Sequence, residues 1–321
     1  MPRFARHAAV HGGARVSPEG ARNLPASVRQ RLLNRARDRR EDFNYLLTRY
    51  ANERLLFRLA ESAHRDQFVL KGATLFELWH DAVHRATRDV DLLGFGEPAV
   101  ERMQATFRDL CTLDVEPDGL QFLVASVRAE RIRDGQAYSG VRVRLAADLD
   151  GAEIAIQVDI GFGDAVTPGV VEADFPTLLD FPAPRLRTYP RETVVAEKFE
   201  AMVRLGIANT RMKDFYDLWA MATTLEFSGE PLAAALAATF QRRGTVLPLE
   251  PPVALRPEFS ADPDKQRQWS AFSQRVATSP IVPLQAALEM LGRFLLPPAA
   301  AADSGEPFHQ EWPAGGDWAG R

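Results

Sequence analysis

Between residues 23 and 66 apolar side chains recur at three- and four-residue spacing: Val28, Leu32, Leu33 and Ala36, then Phe43, Leu46, Leu47, Tyr50, Leu55, Leu56 and Leu59. Helix side chains return to one face at that period, so the pattern predicts N-terminal helices. Phe68-Val69-Leu70 then reads as a short buried strand entering the turn Lys71-Gly72, and residues 73–83 read as helical, with Leu75, Leu78, Trp79 and Ala82 on one face. The run Arg88-Asp89-Val90-Asp91-Leu92-Leu93 alternates polar and apolar as a half-buried strand does. A helix at 100–110 and strands at 122–132, 141–149 and 153–160 follow, the last two joined by the turn Asp150-Gly151. Beyond Pro190 the period is helical again, at 191–205, 212–225, 230–242, 265–277 and 283–295, with a Pro-rich connection at 246–257. The predicted fold is mixed α+β: N-terminal helices at 23–66, a mixed-sheet core at 67–189 and a helical domain at 190–297. Residues 1–22 and 298–321 show no periodicity and are expected to be a disordered leader and a disordered tail.

Composition narrows the class. The 321 residues are 46% hydrophobic and 26% charged, as in ordinary globular proteins that bury a core. No stretch approaches the ~20 apolar residues of a membrane span, and the N-terminus lacks the apolar run of a secretory signal. The single cysteine, Cys111, excludes an internal disulfide and a Cys-rich zinc site, and it fits a reducing, cytoplasmic setting. Within a net charge of −4, residues 22–58 hold ten arginines against Asp38, Glu41, Asp42 and Glu53. Such a surplus could meet a polyanion, although on these residues alone a solvated helix face with Arg–carboxylate pairs is the leading reading. Lysine is rare: Lys71, Lys198, Lys213 and Lys265 are the four among 39 cationic residues. In a chain that writes its cations as arginine, a retained lysine points to a site that wants a compact charge. Lys265, in the turn Asp262-Pro263-Asp264-Lys265 outside any motif, is expected to accept arginine without effect.

The chemistry concentrates between Gly72 and Asp91. On an alternating strand Asp89 and Asp91 point the same way, ~7 Å apart. That spacing suits hard divalent cations such as Mg²⁺ or Mn²⁺. The turn Gly72-Ala73-Thr74 can present backbone N–H groups to phosphate oxygens. A third carboxylate on a neighbouring strand would complete a two-metal clamp. Asp159, in Ile156-Gln157-Val158-Asp159-Ile160, is the expected one, ahead of Asp148, Asp150 and Asp164, which sit at turn edges.

FVLKGATLFELW followed by RATRDVDLLG resembles the opening of the nucleotidyltransferases of the AbiEii/AbiGii abortive-infection toxin family, built on a DNA-polymerase-β-like fold. Glu192-Thr193-Val194-Val195-Ala196-Glu197-Lys198 resembles the family's lysine-bearing helix, and Arg211-Met212-Lys213-Asp214-Phe215-Tyr216-Asp217-Leu218 its Arg-x-Lys-Asp-x-x-Asp-Leu segment. The resemblance spans roughly residues 25–295, in order. It implies transfer of a nucleoside monophosphate from an NTP to an acceptor hydroxyl with release of pyrophosphate. Asp89, Asp91 and Asp159 would serve as metal and catalytic carboxylates, and Lys198 as the triphosphate cation. Gly72, Ala73, Thr74, Lys213, Asp214 and Asp217 would stand around the nucleotide. It also implies a cognate antitoxin and an RNA acceptor, with tRNA foremost. Where many relatives have Gly-Ser or Gly-Gly, this chain has Gly72-Ala73, which removes one hydroxyl donor.

Two other classes stay open on the sequence: a catalytically silent nucleotide- or RNA-binding module using the arginine-rich helices, and a kinase on the same fold. Several further signals carry no site. His80 and His84 are one turn apart near Glu77, without the third ligand or the Glu placement of a zinc helix. Gly94-Phe95-Gly96 and Gly161-Phe162-Gly163 lack the last glycine of a dinucleotide turn and read as strand exits. Thr87, two residues before Asp89, is explained by strand preference as well as by modification.

Overall fold

The computed structural model describes residues 23–79, 85–134, 138–276 and 282–320. The expected leader at 1–22 and the His80/His84 pair lie outside them. Two helices open the described chain, α1 (Leu24–Arg39) and α2 (Phe43–Glu61). Each starts where a side chain accepts a free backbone N–H: Asn23 from Ala26, and Asp42 from Tyr45. The core then runs β1 (Phe68–Lys71), a 3₁₀ turn at Gly72–Leu75, α3 (Phe76–Trp79), β2 (Asp89–Gly94), α4 (Val100–Thr112), β3 (Gln121–Phe122) and β4 (Arg128–Asp134). It continues through β5 (Tyr138–Leu149), β6 (Ala152–Phe162), β7 (Val171–Asp174) and β8 (Arg185–Thr188). The second half holds α5 (Arg191–Leu205), α6 (Met212–Thr224), β9 (Phe227–Ser228), α7 (Gly229–Arg243), α8 (Pro257–Ala261), α9 (Pro263–Ser273), α10 (Leu284–Ser304), β10 (Gln310–Trp312) and β11 (Ala319–Gly320).

The molecule is α+β, with a mixed sheet in the order β3-β5-β6-β2-β1-β8-β7, to which β4 adds by pairing with β5. β2 runs parallel to β6 and antiparallel to β1, so it sits at the centre. Along β6 buried and accessible residues alternate without a break, and Ile154, Ile156, Val158 and Ile160 face inward. That inner face is covered by α1, α2 and α4, which together with Leu145, Val143 and Val141 of β5 build one core. The outer face carries the polar partners of the same alternation and stays open to solvent at Arg144, Glu153 and Ala155, as half-solvated antiparallel sheets do.

Three local expectations differ. The strand expected at 122–132 is broken into β3 and β4 by a 3₁₀ turn at Val124–Ser126. There the Ser126 hydroxyl donates to Leu123 O (2.6 Å) and accepts from Ala146 N (2.8 Å), taking backbone partners that a continuous strand would use. Strands β7 and β8 were not anticipated; β8 is short and is fixed by parallel pairing at Leu70↔Thr188. The tail is ordered in place of the expected disorder. α10 runs through Pro297 and Pro298 to Ser304. Trp312 is fully buried, its Nε1 donating to Ala222 O (2.7 Å), while Trp318 stacks on Phe294. Its Pro- and Gly-rich composition resembles a linker, but its aromatic anchors find partners that local composition does not reveal.

The arginine surplus at 22–58 is also turned inward in large part. Arg54 and Arg58 converge on Asp118 inside the protein, Arg49 pairs with Glu77, and Arg35 donates to Leu178 O. Arg29, Arg37, Arg39 and Arg40 remain exposed, on the helices over the inner face.

Candidate active site

Strand register places the charged residues of the outer face in two rows. Lys71 of β1 is opposite Asp91 of β2, Asp91 is level with Asp159 of β6, Asp159 faces Arg142 of β5, and Arg142 faces Glu130 of β4. The second row is Asp89, Gln157, Arg144 and Arg128. Cross-strand partners point to the same side at ~4.8 Å per strand, so three carboxylates are gathered on adjacent strands. Asp89 is exposed, and Asp91 and Asp159 are partly buried.

The carboxylates repel one another. Burial pushes Asp91 up to about 6; Lys71 pulls the other way, while Asp159 and Asp89 add to the rise. Asp89 is raised as well, by burial and by Asp159, against the pull of Arg142, Lys213 and Arg144. A charge cluster of this kind favours a bound cation. The donors are hard oxygens, which fits Mg²⁺ or Mn²⁺. Among the described residues no three His, Cys, Asp or Glu side chains form a finished metal cage. Asp159 is engaged by Arg142, from which its two oxygens each accept at 2.7 Å. Gly72 closes the other side: with φ of +77° it brings the turn so near that a Cβ would lie 2.1 Å from Asp91 Oδ2. Ala73 and Thr74 of that turn are buried, and Thr74 lines a small cleft with Arg49, Asn52 and Glu77 of the neighbouring helices.

Lys198 sits in a different setting from the one expected of a triphosphate cation. Its Nζ donates to Asp214 Oδ1 (2.7 Å) and Asp217 Oδ2 (2.8 Å). Asp217 in turn receives two bonds from Arg85, and Asp214 pairs with Arg211. Burial disfavours the Lys198 ammonium, but the two aspartates outweigh it and raise its pKa. This cluster ties α5 and α6 to the segment that leads into β2. Lys213, one residue before Asp214 on α6, is exposed and close enough to Asp89 and Asp91 to favour their charged forms. No described carboxylate lies within ion-pair distance of it. Lys265 proves to be a buried lysine, donating to Asn209 O (2.9 Å) over the Phe259 ring. It is an internal tie between loop and helix, contrary to the expectation that arginine would be silent there.

Sequence reading passed over a second cluster. Lys71 Nζ donates to Asp164 Oδ2 (2.7 Å) and lies 3.6 Å from Glu197, and Arg243 of α7 joins Asp164, Glu197 and Glu200. Burial acts against the Lys71 charge, yet Glu197 and Asp164 raise its pKa. Its one sequence signal was the rarity of lysine. Arg142 gave none, because its partner is set by register. The Gly94–Gly96 and Gly161–Gly163 segments leave β2 and β6 as strand exits. No described helix is long and apolar enough to cross a membrane.

Among solved structures the chain is similar to JHP933 from Helicobacter pylori, at 17% identity and TM-score 0.42 over 81% of this chain and 92% of that one. It is also similar to a putative nucleotidyltransferase from H. pylori, at 16% identity and TM-score 0.42 over 81% and 95%. No curated protein sequence matches. A family model described as nucleotidyl transferase AbiEii toxin, type IV toxin–antitoxin system, matches residues 54–289, well over half of the chain, and the protein belongs to that family.

Proposed function

We propose that this toxin-family nucleotidyl transferase moves a nucleoside monophosphate from an NTP to a hydroxyl of RNA, tRNA foremost, with pyrophosphate leaving. The observation that carries the reading is the gathering of Asp89, Asp91 and Asp159 on one open sheet face, with charges left under-compensated. Asp89 and Asp91 would hold the divalent cation. Once bound, it would offset triphosphate charge and favour in-line attack at the α-phosphate. Asp159 takes the proton of the acceptor hydroxyl, oriented by the Arg142 fork. Lys213 supplies the positive charge to the phosphates, and the backbone amides opening the Gly72–Leu75 turn lie beside them. Lys198 acts through Asp214 and Asp217, holding α6 so that Lys213 faces the carboxylates. The cognate antitoxin is the partner that the family implies.

The test uses purified protein, Mg²⁺, total RNA and NTPs labelled at the α or the γ phosphate. The wild type is expected to place α label on RNA, and Asp89→Asn with Asp91→Asn to abolish transfer without lowering the thermal midpoint, since repulsion is relieved. Transfer retained by a well-folded double variant overturns the site, and γ label on the product replaces nucleotidyl with phosphoryl transfer.

A further inference from the structure

We propose that the outer face of β6, β5 and β4, with Arg144 and Arg128 as its cationic row, is the bed on which the acceptor lies as a single-stranded phosphodiester chain. The inference rests on the transferase reading above and adds where, and in what form, the acceptor binds. The row Asp89, Gln157, Arg144, Arg128 crosses four strands in register. At ~4.8 Å per strand, Arg144 is about 10 Å from the Asp89 position and Arg128 about 14 Å. A strand whose terminal hydroxyl reaches Asp159 would therefore pass its preceding phosphates over the two arginines.

The surroundings fit such an occupant. Both arginines are exposed, and the next positions on the same face are the small Ala146 and Ala155, paired across β5 and β6. Arg144 pairs with Glu130, but each side chain is more than half exposed. An exposed pair of that kind is worth ~0–1 kcal/mol and exchanges readily for a phosphate, which accepts a guanidinium in bidentate fashion. Arg128 bonds the Ala125 and Val127 carbonyls, with no described carboxylate in ion-pair range. No aromatic side chain occupies either row, so the contacts are to the backbone and tolerate sequence. The arginines of α1 and α2 are excluded from this role by position, because those helices cover the opposite face of the sheet.

The test combines binding and turnover on the full-length protein. Anisotropy of a labelled single-stranded oligoribonucleotide is measured for wild type, Arg128→Glu/Arg144→Glu, the milder Arg128→Gln/Arg144→Gln, and Arg37→Glu/Arg39→Glu as the helix control. The charge reversal is expected to weaken binding roughly tenfold or more and to reduce the log–log salt slope by about 0.7 per lost phosphate contact. The Gln pair should fall between, and the helix control should match wild type. In turnover, KM for RNA should rise while KM for NTP stays within about twofold, each contact being to the acceptor alone. Unchanged affinity in the reversed variant, equal binding of a blunt duplex, or label landing on protein overturns the proposal. If wild type transfers no nucleotide at all, the transferase reading fails, and the anisotropy series still decides the surface.

Discussion

Gly72 shows how one residue sets the geometry of the candidate site. Its left-handed backbone and missing Cβ let the turn close on Asp91. Gly72→Ala must move either the turn or the carboxylate. Transfer is expected to fall by about 10²-fold, with a stability loss of about 1–3 kcal/mol from strain, read from initial rates and thermal midpoints. Glu53 gives a second prediction, independent of catalysis. Burial pushes its carboxyl up to about 7, against the pull of the Leu178 N–H and Arg54. Unfolded, the group titrates near 4.5. Between those values the folded protein holds more protons, so the contribution is full below the unfolded pKa and is lost as pH rises through about 7. Wild type should lose on the order of 2–3 kcal/mol relative to Glu53→Gln between about pH 5 and pH 8; parallel denaturation curves for the two proteins would refute this. The same-face placement of Asp89 and Asp91 was legible because strand alternation is local, and Asp159 stood out as the third carboxylate by its place on a strand-like run. Their counter-charges Lys71 and Arg142 were not, since cross-strand partners depend on which strands meet.

At the scale of the element, α2 departs most from a simple amphipathic reading. Asn52, Glu53, Arg54 and Arg58 are all buried, and the two guanidinia share Asp118 on a distant loop. In sequence they counted toward a basic surface, because nothing near them announces the partner. Asp118→Asn would leave two buried cations short of charge, and is expected to cost about 3–5 kcal/mol. An unchanged denaturant midpoint would show that the cluster contributes nothing. The helices of the second half were better readable, since α5, α6 and α7 each carry their apolar period and end near Gly206, Thr224 and Gly244. Strand β8 offered only four residues and took its place from β1 and β7.

For the whole molecule, the informative failure is the tail. Residues 310–312 pair with β9, which lies between α6 and α7, and Trp312 fills the space between Ala222 and Phe294. Trp312→Ala should destabilise the protein by about 3–5 kcal/mol, measured by chemical denaturation; a change under about 1 kcal/mol would mean that the site refills. Sheet order was equally hidden, because between β2 and its partner β6 lie the helix α4 and the three strands β3, β4 and β5. The anchoring of Trp312 also has a consequence in time. β9 waits 85 residues for its partner, from Phe227 to Trp312. At ~5–20 residues per second on the ribosome that delay is about 4–17 s. During it the space beside Ala222 of α6 that Trp312 fills stays empty on the nascent chain. The helical half is therefore completed only when residues 310–312 have emerged, so chains stalled before them stay open to proteases.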